Sequence, residues 1–177
     1  PLATLQLARS IPFAYPFDLH LQTEGMRRHN SSALRRGRVA EIGRAYLITT
    51  TCADRRALFD DLVHARTLIR TLREADQAHA VRTLAYVAMP DHVNWLFVLL
   101  DGDLASTVRT MKSRSAIALN RLDAAPGRKV WQAGFHDHAV RAEEDLVGIA
   151  RYVVANPVRA GLVSSVRAYP HWDAVWI

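Results

Sequence analysis

The chain has 177 residues, half of them apolar, with 23 Lys and Arg against 17 Asp and Glu for a net charge of +6. That length suits one compact domain with an arm or tail, and no apolar run approaches the ~20 residues that a bilayer-crossing helix needs. Cys52 is the only cysteine, which excludes an intrachain disulfide and a thiolate metal cage. The opening Pro1-Leu2-Ala3-Thr4 lacks the charged leader and long apolar core of a secretory signal, so a soluble protein in a reducing compartment is expected. Only Lys112 and Lys129 are lysines. Arginine matches phosphate bidentately and stacks on bases, so this balance suits nucleic acid, although an arginine-rich proteome produces the same count.

Residues 1–43 read as an arm, basic from about residue 26, where Arg27, Arg28, His29, Asn30, Ser31, Arg35, Arg36 and Arg38 cluster. Residues 43–52 are β-branched and aromatic and predict a strand. Asp54 is placed to cap a helix running to about His79, with Leu58, Leu62, Ala65, Leu68, Ile69 and Leu72 as its apolar stripe. Strands are predicted over 81–89 and 92–100, joined by a turn at Pro90-Asp91. Asp101-Gly102-Asp103 opens a second helix over 104–122, and 130–141 reads as a fourth extended segment. Glu143-Glu144-Asp145 supplies negative charge at the start of a last helix, which continues to about Asn156, where Pro157 interrupts it. The order β-α-β-β-α-β-α is the split βαβ, ferredoxin-like α+β sandwich with one extra helix. The domain is expected over 44–160, with an aromatic tail over 161–177 packing on it.

Side chains alternate along a strand, so His92 and Asn94 project from one side of the sheet, an imidazole and an amide aimed the same way. Tyr152 and Asn156 lie four residues apart and share a helix face. Singly, each has a plain structural explanation: a satisfied histidine at a strand end, a rim aromatic, a helix-end asparagine. His136-Asp137-His138 repeats the i, i+2 histidine spacing and has its own bland reading, hydrogen bonding near the last helix or contact with phosphate.

Three stretches carry more when taken together: MPDHVNWLFVLL from Met89, VWQAGFHDHAVRAEEDLVGIARYVVANPVRAGLV from Val130, and MRRHNSSALRRGRVAEIGRAYLITT from Met26. They resemble the REP-associated tyrosine transposases, within the HUH class of single-strand DNA nucleases, over roughly residues 26–177. The resemblance implies that Tyr152 is a nucleophile forming a 5′-phosphotyrosine and a free 3′-hydroxyl. It implies a Mg²⁺ or Mn²⁺ site at His92, Asn94 and Asn156; it places no metal ligand at His136 and His138, which are kept as candidate auxiliaries on their spacing alone. Hard cations accept amide oxygens, although an amide is a weaker donor than imidazole for Mn²⁺-like metals. The family carries histidine where this chain has Asn94. That departure is open to three readings: an introduced knock-out, a natural weaker ligand, or a protein that has kept DNA binding and lost cleavage.

The implied partner is a single-stranded DNA hairpin with an adjacent tetranucleotide, in a bacterial, nucleoid-associated, cytoplasmic protein. The arm residues above would grip it, joined by Lys112 and Arg114 on the second helix, where Arg109 and Arg121 extend the basic series. Trp172 and Trp176 either stack on bases or, as favoured here, fold back onto the core. The resulting reading is a metal-dependent single-strand endonuclease and strand transferase acting on repeat hairpins. Its alternative is a hairpin-binding protein that no longer cuts. A third reading, a ferredoxin-like RNA-binding module, requires aromatic side chains displayed on an open sheet face.

Overall fold

The computed structural model describes residues 40–142 and 144–176. A five-stranded antiparallel sheet has the order β4-β1-β3-β2-β5, with β1 Ala45–Thr51, β2 Val81–Met89, β3 His92–Leu99, β4 His136–Ala139 and β5 Trp172–Ala174. Helix α1 (Leu62–Gln77) links β1 to β2, and α2 (Leu104–Leu122) links β3 to β4. The first four strands with these helices form the expected split βαβ sandwich. Helix α3 (Leu146–Val154) and a short α4 (Asn156–Arg159) follow, and β5 adds a fifth strand beside β2.

Alternation along the strands sorts the side chains into two cores. Tyr46, Ile48, Tyr86, Val93, Trp95 and Phe97 face the layer holding Leu68 and Leu72 of α1 and Val108, Met111 and Leu119 of α2. Leu47, Val87, Leu96 and Val98 face the other way, against Ala150, Val153 and Val154 of α3 and Tyr169 of the tail. The aromatic side chains of β1 and β3 therefore lie under helices, and the open-face display that an RNA-binding module needs is not built from them.

Three element boundaries differ from the sequence expectation, each for a local reason. Helix α1 begins at Leu62, not at Asp54, because Asp54 and Arg55 adopt left-handed φ values of 55° and 50°. Such backbone cannot propagate a right-handed helix. Two 3-10 turns instead lower Phe59 into the core against the Trp131 ring, 5.5 Å away between centroids. Asp61 then caps the helix, its carboxylate accepting from the backbone N–H groups of Val63 (2.8 Å) and His64 (2.9 Å).

The fourth extended segment is interrupted. Trp131 bridges to Cys52, and the strand proper starts only at His136. Between them Lys112 Nζ donates to the carbonyls of Gln132 and Gly134, each at 2.6 Å, so this lysine clamps the connecting loop to α2.

Helix α3 ends at Val154, and Pro157 sits in the first turn of α4. Proline has no N–H to offer the Val153 carbonyl one turn back, which breaks the ladder there but is tolerated at a helix start. The Asn156 side-chain amide donates to that same carbonyl at 3.1 Å.

In the tail, Tyr169 Oη donates to the Ala88 carbonyl (2.7 Å) and the Trp172 indole N–H donates to the Val166 carbonyl (2.9 Å). Trp172 packs against the α3-side core while Trp176 is exposed. No described helix is long and apolar enough to cross a membrane.

A polar cluster ties the two helices of the first layer. Asp123 faces His64 Nε2 at 2.7 Å, and Arg128 approaches its other oxygen at 2.6 Å. The hydrogen bond to His64, and then the ion pair with Arg128, hold the Asp123 carboxyl below the usual carboxylate range, with burial opposing. Asp61 and Asp103, capping α1 and α2 through backbone N–H groups, are lowered as well.

These groups bind protons more weakly folded than unfolded, so their stabilisation is complete above the ordinary Asp value of about 3.9 and is lost as pH falls through the folded values. Urea unfolding is expected to show a modest loss of stability as pH falls through the ordinary histidine value of about 6.5, where burial of His171 disfavours its protonation, and then a steeper fall below pH 4 as these carboxylates protonate. Asp123→Asn is expected to lower the midpoint at pH 7 and flatten the acid fall. A variant whose acid fall is as steep as the parent's would contradict this assignment.

Candidate active site

The polar positions of the α3-side sheet face cluster at one end of the strands. Moving along β3, the apolar Val98 and Leu96 give way to Asn94 and then His92. The register continues this change laterally. Asn94 lies opposite Thr49 of β1 and Val87 of β2, and Thr49 in turn lies opposite His136 of β4. His138 lies opposite Leu47 on the same face. Directly paired residues project to the same side, so His92, Asn94, Thr49, His136 and His138 all share the face on which α3 packs. His136 and Asn94 are separated by one intervening strand, about 10 Å between backbones. Helix α3 packs against β2, β3 and β5 on this same face.

His92 is held by its neighbour. Asp91 Oδ1 is 2.6 Å from His92 Nδ1, and Asp91 also pairs with Arg55 at 3.2 Å. The His92 hydrogen bond, helped by the nearby charges of His92 and Arg55, keeps the Asp91 carboxyl below its usual range against the effect of burial. A carboxylate on Nδ1 fixes the ring and favours the tautomer whose Nε2 carries a lone pair, the arrangement of a metal-binding histidine.

Asn94 is buried, and its Oδ1 accepts from the Thr49 hydroxyl at 2.7 Å. An amide oxygen has two lone pairs, so one remains for a cation.

Tyr152 and Asn156 meet through a residue that the sequence reading passed over. Arg159 donates from Nη2 to Tyr152 Oη at 2.9 Å and from Nη1 to Asn156 Oδ1 at 3.4 Å. Its guanidinium carbon also lies 3.9 Å from the centroid of the Tyr152 ring. One arginine thus touches the hydroxyl, the ring and the amide oxygen. The spacing 152, 156, 159 follows one helical stripe and was the available signal.

His138 Nε2 sits 2.7 Å from Glu144 Oε2, joining β4 to the approach of α3. Burial works to raise the Glu144 carboxyl, but the His138 hydrogen bond and the Arg141 backbone N–H bring it below the usual value. His136 is exposed. Arg114 is exposed and lies 3.6 Å from Glu74, while Arg109 and Arg121 are exposed on α2. Helix α2 occupies the layer opposite α3, so this basic series is on the far side of the sheet from Tyr152. Arg27, Arg28, His29, Asn30, Ser31, Arg35, Arg36 and Arg38 lie outside the described residues. The Cys52 thiol, pushed up to about 12 by burial and then by the Asp91 charge, is not a competing nucleophile at neutral pH.

Among the described residues no three His, Cys, Asp or Glu side chains converge as a metal centre. Among the described residues, the further oxygen donors that this face offers beside His92 are amides. His92 Nε2 and the amide oxygens of Asn94 and Asn156 suit a hard cation in donor type, with Arg159 displaced from Asn156. This donor set is uncharged, so the cation would be held weakly until a phosphate joined it.

The chain is similar to known proteins over most of the described fold. The family model described as Transposase IS200 like matches residues 43–156. A REP-associated tyrosine transposase of Escherichia coli is 30% identical over 88 residues, 49% of this chain and 50% of that protein. A relative from Haemophilus influenzae is 24% identical over 109 residues, 56% of this chain and 62% of its own length. The chain thus spans between half and two thirds of the length of these curated relatives. The solved structure of a REP-associated tyrosine transposase bound to a REP hairpin has the same fold, with a TM-score of 0.63 at 23% identity, covering 76% of this chain and 79% of that one. The family match takes in β1 through α3, with both the His92–Asn94 strand and the Tyr152–Asn156 turn inside it, and the chain belongs to the IS200-like transposase family.

Proposed function

We propose that this chain is a metal-dependent endonuclease and strand transferase that acts on single-stranded REP-type DNA hairpins through a covalent bond to Tyr152. The observation that carries the reading is the shared hold of Arg159 on the Tyr152 hydroxyl and the Asn156 amide, at the end of the helix that packs on the sheet face carrying His92 and Asn94. Relatives named as REP-associated tyrosine transposases, one of them bound to a REP hairpin, support the substrate class.

In the reaction, Tyr152 Oη forms a bond to phosphorus and the P–O3′ bond breaks. The Tyr152 proton is lost and the departing 3′ oxygen gains one, leaving a 5′-phosphotyrosine. Attack by another 3′-hydroxyl reverses these steps and restores the phenol, with no outside energy source. A phenol of ordinary pKa ~10 is a poor nucleophile at neutral pH. Arg159 addresses this by donating to Oη, which stabilises negative charge developing on the oxygen, while its stacking fixes the ring.

Mg²⁺ or Mn²⁺ held by His92, Asn94 and Asn156 would supply polarisation of the phosphoryl oxygens and stabilisation of the leaving alkoxide. Asp91 orients His92 for that role, and Thr49 orients Asn94. His136 and His138 lie along the same face, where they would contact the DNA backbone.

A second reading, a hairpin-binding protein that no longer cuts, is favoured by Asn94 itself. Its oxygen is already engaged by Thr49, and an amide replaces the family's stronger imidazole donor.

Covalent adduct resistant to SDS, formed with a labelled repeat hairpin and Mn²⁺, separates these readings. The chain is expected to form adduct slowly, Asn94→His about 10–100-fold faster, and Asn94→His/Tyr152→Phe not at all. Equal rates for the parent and Asn94→His would remove the weak-ligand account. Tight hairpin binding with no adduct in any version would favour the second reading.

For Arg159, substitution by Ala is expected to slow adduct formation at least tenfold while hairpin affinity changes less than about threefold. Guanidinium added to the Arg159→Ala protein is expected to restore part of the rate, and Arg159→Lys to retain part of it. Failure of both to recover any activity in a folded protein would assign the arginine a purely structural role.

A further inference from the structure

Away from the tyrosine site, the outer surface of α1 carries Arg66, Arg70 and Arg73, all exposed. Their i, i+4, i+7 spacing stacks three like charges on one stripe, an arrangement that isolated helices disfavour. Among the described residues Arg66 and Arg70 form no salt bridge. Glu74, one turn beyond Arg70, pairs with Arg114.

The three arginines line a cavity of about 390 Å³, whose other wall includes Tyr86, Trp172 and Asp173. Asp173 is the one acidic residue among its described lining, and its Oδ1 accepts from the Ala174 backbone N–H. The cavity is thus strongly positive and has an aromatic floor.

Its position joins the two layers of the fold. β5 is an edge strand, and register puts Asp173 beside Tyr86 on the α1 side and Trp172 beside Val87 on the α3 side. Both residues line the cavity, so the groove wraps the sheet edge from α1 toward the layer that holds Tyr152. Helix α3 packs on β5 from that layer.

We propose that this groove binds the phosphodiester backbone of the single-stranded DNA flanking the hairpin, with Arg66, Arg70 and Arg73 on successive phosphates. The proposal rests on the DNA-hairpin reading above and assigns it a second contact surface, separate from the catalytic face. Guanidinium groups on phosphates carry no base information, so the contact is independent of flank sequence. Each phosphate neutralised on a single strand steepens the salt dependence of log K by about 0.7.

The test compares the parent chain with Arg66→Gln/Arg70→Gln and with the triple variant that adds Arg73→Gln. The double variant leaves Arg73, which lines the groove with Tyr86, in place should the triple variant fold poorly. Probes are a palindromic-repeat hairpin from the genome encoding the chain, with its single-stranded flanks, with scrambled flanks, and with none.

The expected result is a loss of affinity of at least about tenfold on both flanked probes at ~150 mM salt. The slope of log K against log salt should be shallower by about 1.4 in the double variant and about 2 in the triple. Affinity for the flankless hairpin should not change. Unchanged affinity and slope in a variant with parental melting temperature would overturn the groove and leave the hairpin reading standing, as would equal losses on flanked and flankless probes. A parent chain that binds none of the probes would overturn both.

Discussion

The register between β3 and its two neighbours is the constraint on which the remaining structure depends. β3 is buried along nearly its whole length and hydrogen-bonded on both sides, so each of its residues has one permitted direction. Trp95 and Phe97 go to the α1–α2 core, while Leu96 and Val98 go to the α3 core. A slip of one residue against β1 would exchange these sets and send His92 and Asn94 under the helices. The Trp95 indole N–H donates to Thr83 Oγ1 at 2.9 Å beside the irregularity in β2, which adds a directional bond to the apolar choice. The same pairing puts Thr49 against Asn94, so the apolar core and the polar end of the face have one structural cause.

The second requirement is a helix that ends at a defined place. Pro157 stops α3 by withholding an N–H, and Asn156 supplies the missing donor from its side chain. That bond uses the amide nitrogen and leaves the oxygen facing Arg159. The chain then turns into α4, which carries Arg159 back over the Tyr152 ring. A residue proposed as a ligand is thus also the residue that repairs the helix break. Replacing Asn156 would disturb both, and loss of activity from such a change has two physical origins.

Much of the architecture was legible because it rests on local periodicity. The apolar runs of β2 and β3, the Asp103-capped α2 and the β-α-β-β-α-β order all follow from side-chain pattern and capping chemistry. The start of α1 did not, because Asp54 and Arg55 take left-handed backbone in answer to the burial of Phe59 against Trp131, a contact across more than seventy residues. β5 is three residues long beside Pro170, and its pairing with β2 has no local signature. At the candidate site, the spacing of His92 with Asn94 and of Tyr152 with Asn156 could be read from strand and helix periods. The partners that hold them could not all be read that way. Thr49 reaches Asn94 only through the strand register, and the α1 arginines face Trp172 only once the tail has crossed the sheet edge.

The central claim is that Tyr152 itself becomes bonded to DNA. Cleavage after Arg151 and Arg159 by trypsin isolates the segment 152–159, whose only tyrosine is Tyr152. Mass spectrometry of this peptide, after reaction with a repeat hairpin and Mn²⁺ and digestion of the DNA, tests the claim directly. The account predicts a residual 5′-nucleotide mass on Tyr152. Hairpin cleavage with this peptide unmodified, or with the nucleotide on a different residue, would contradict it.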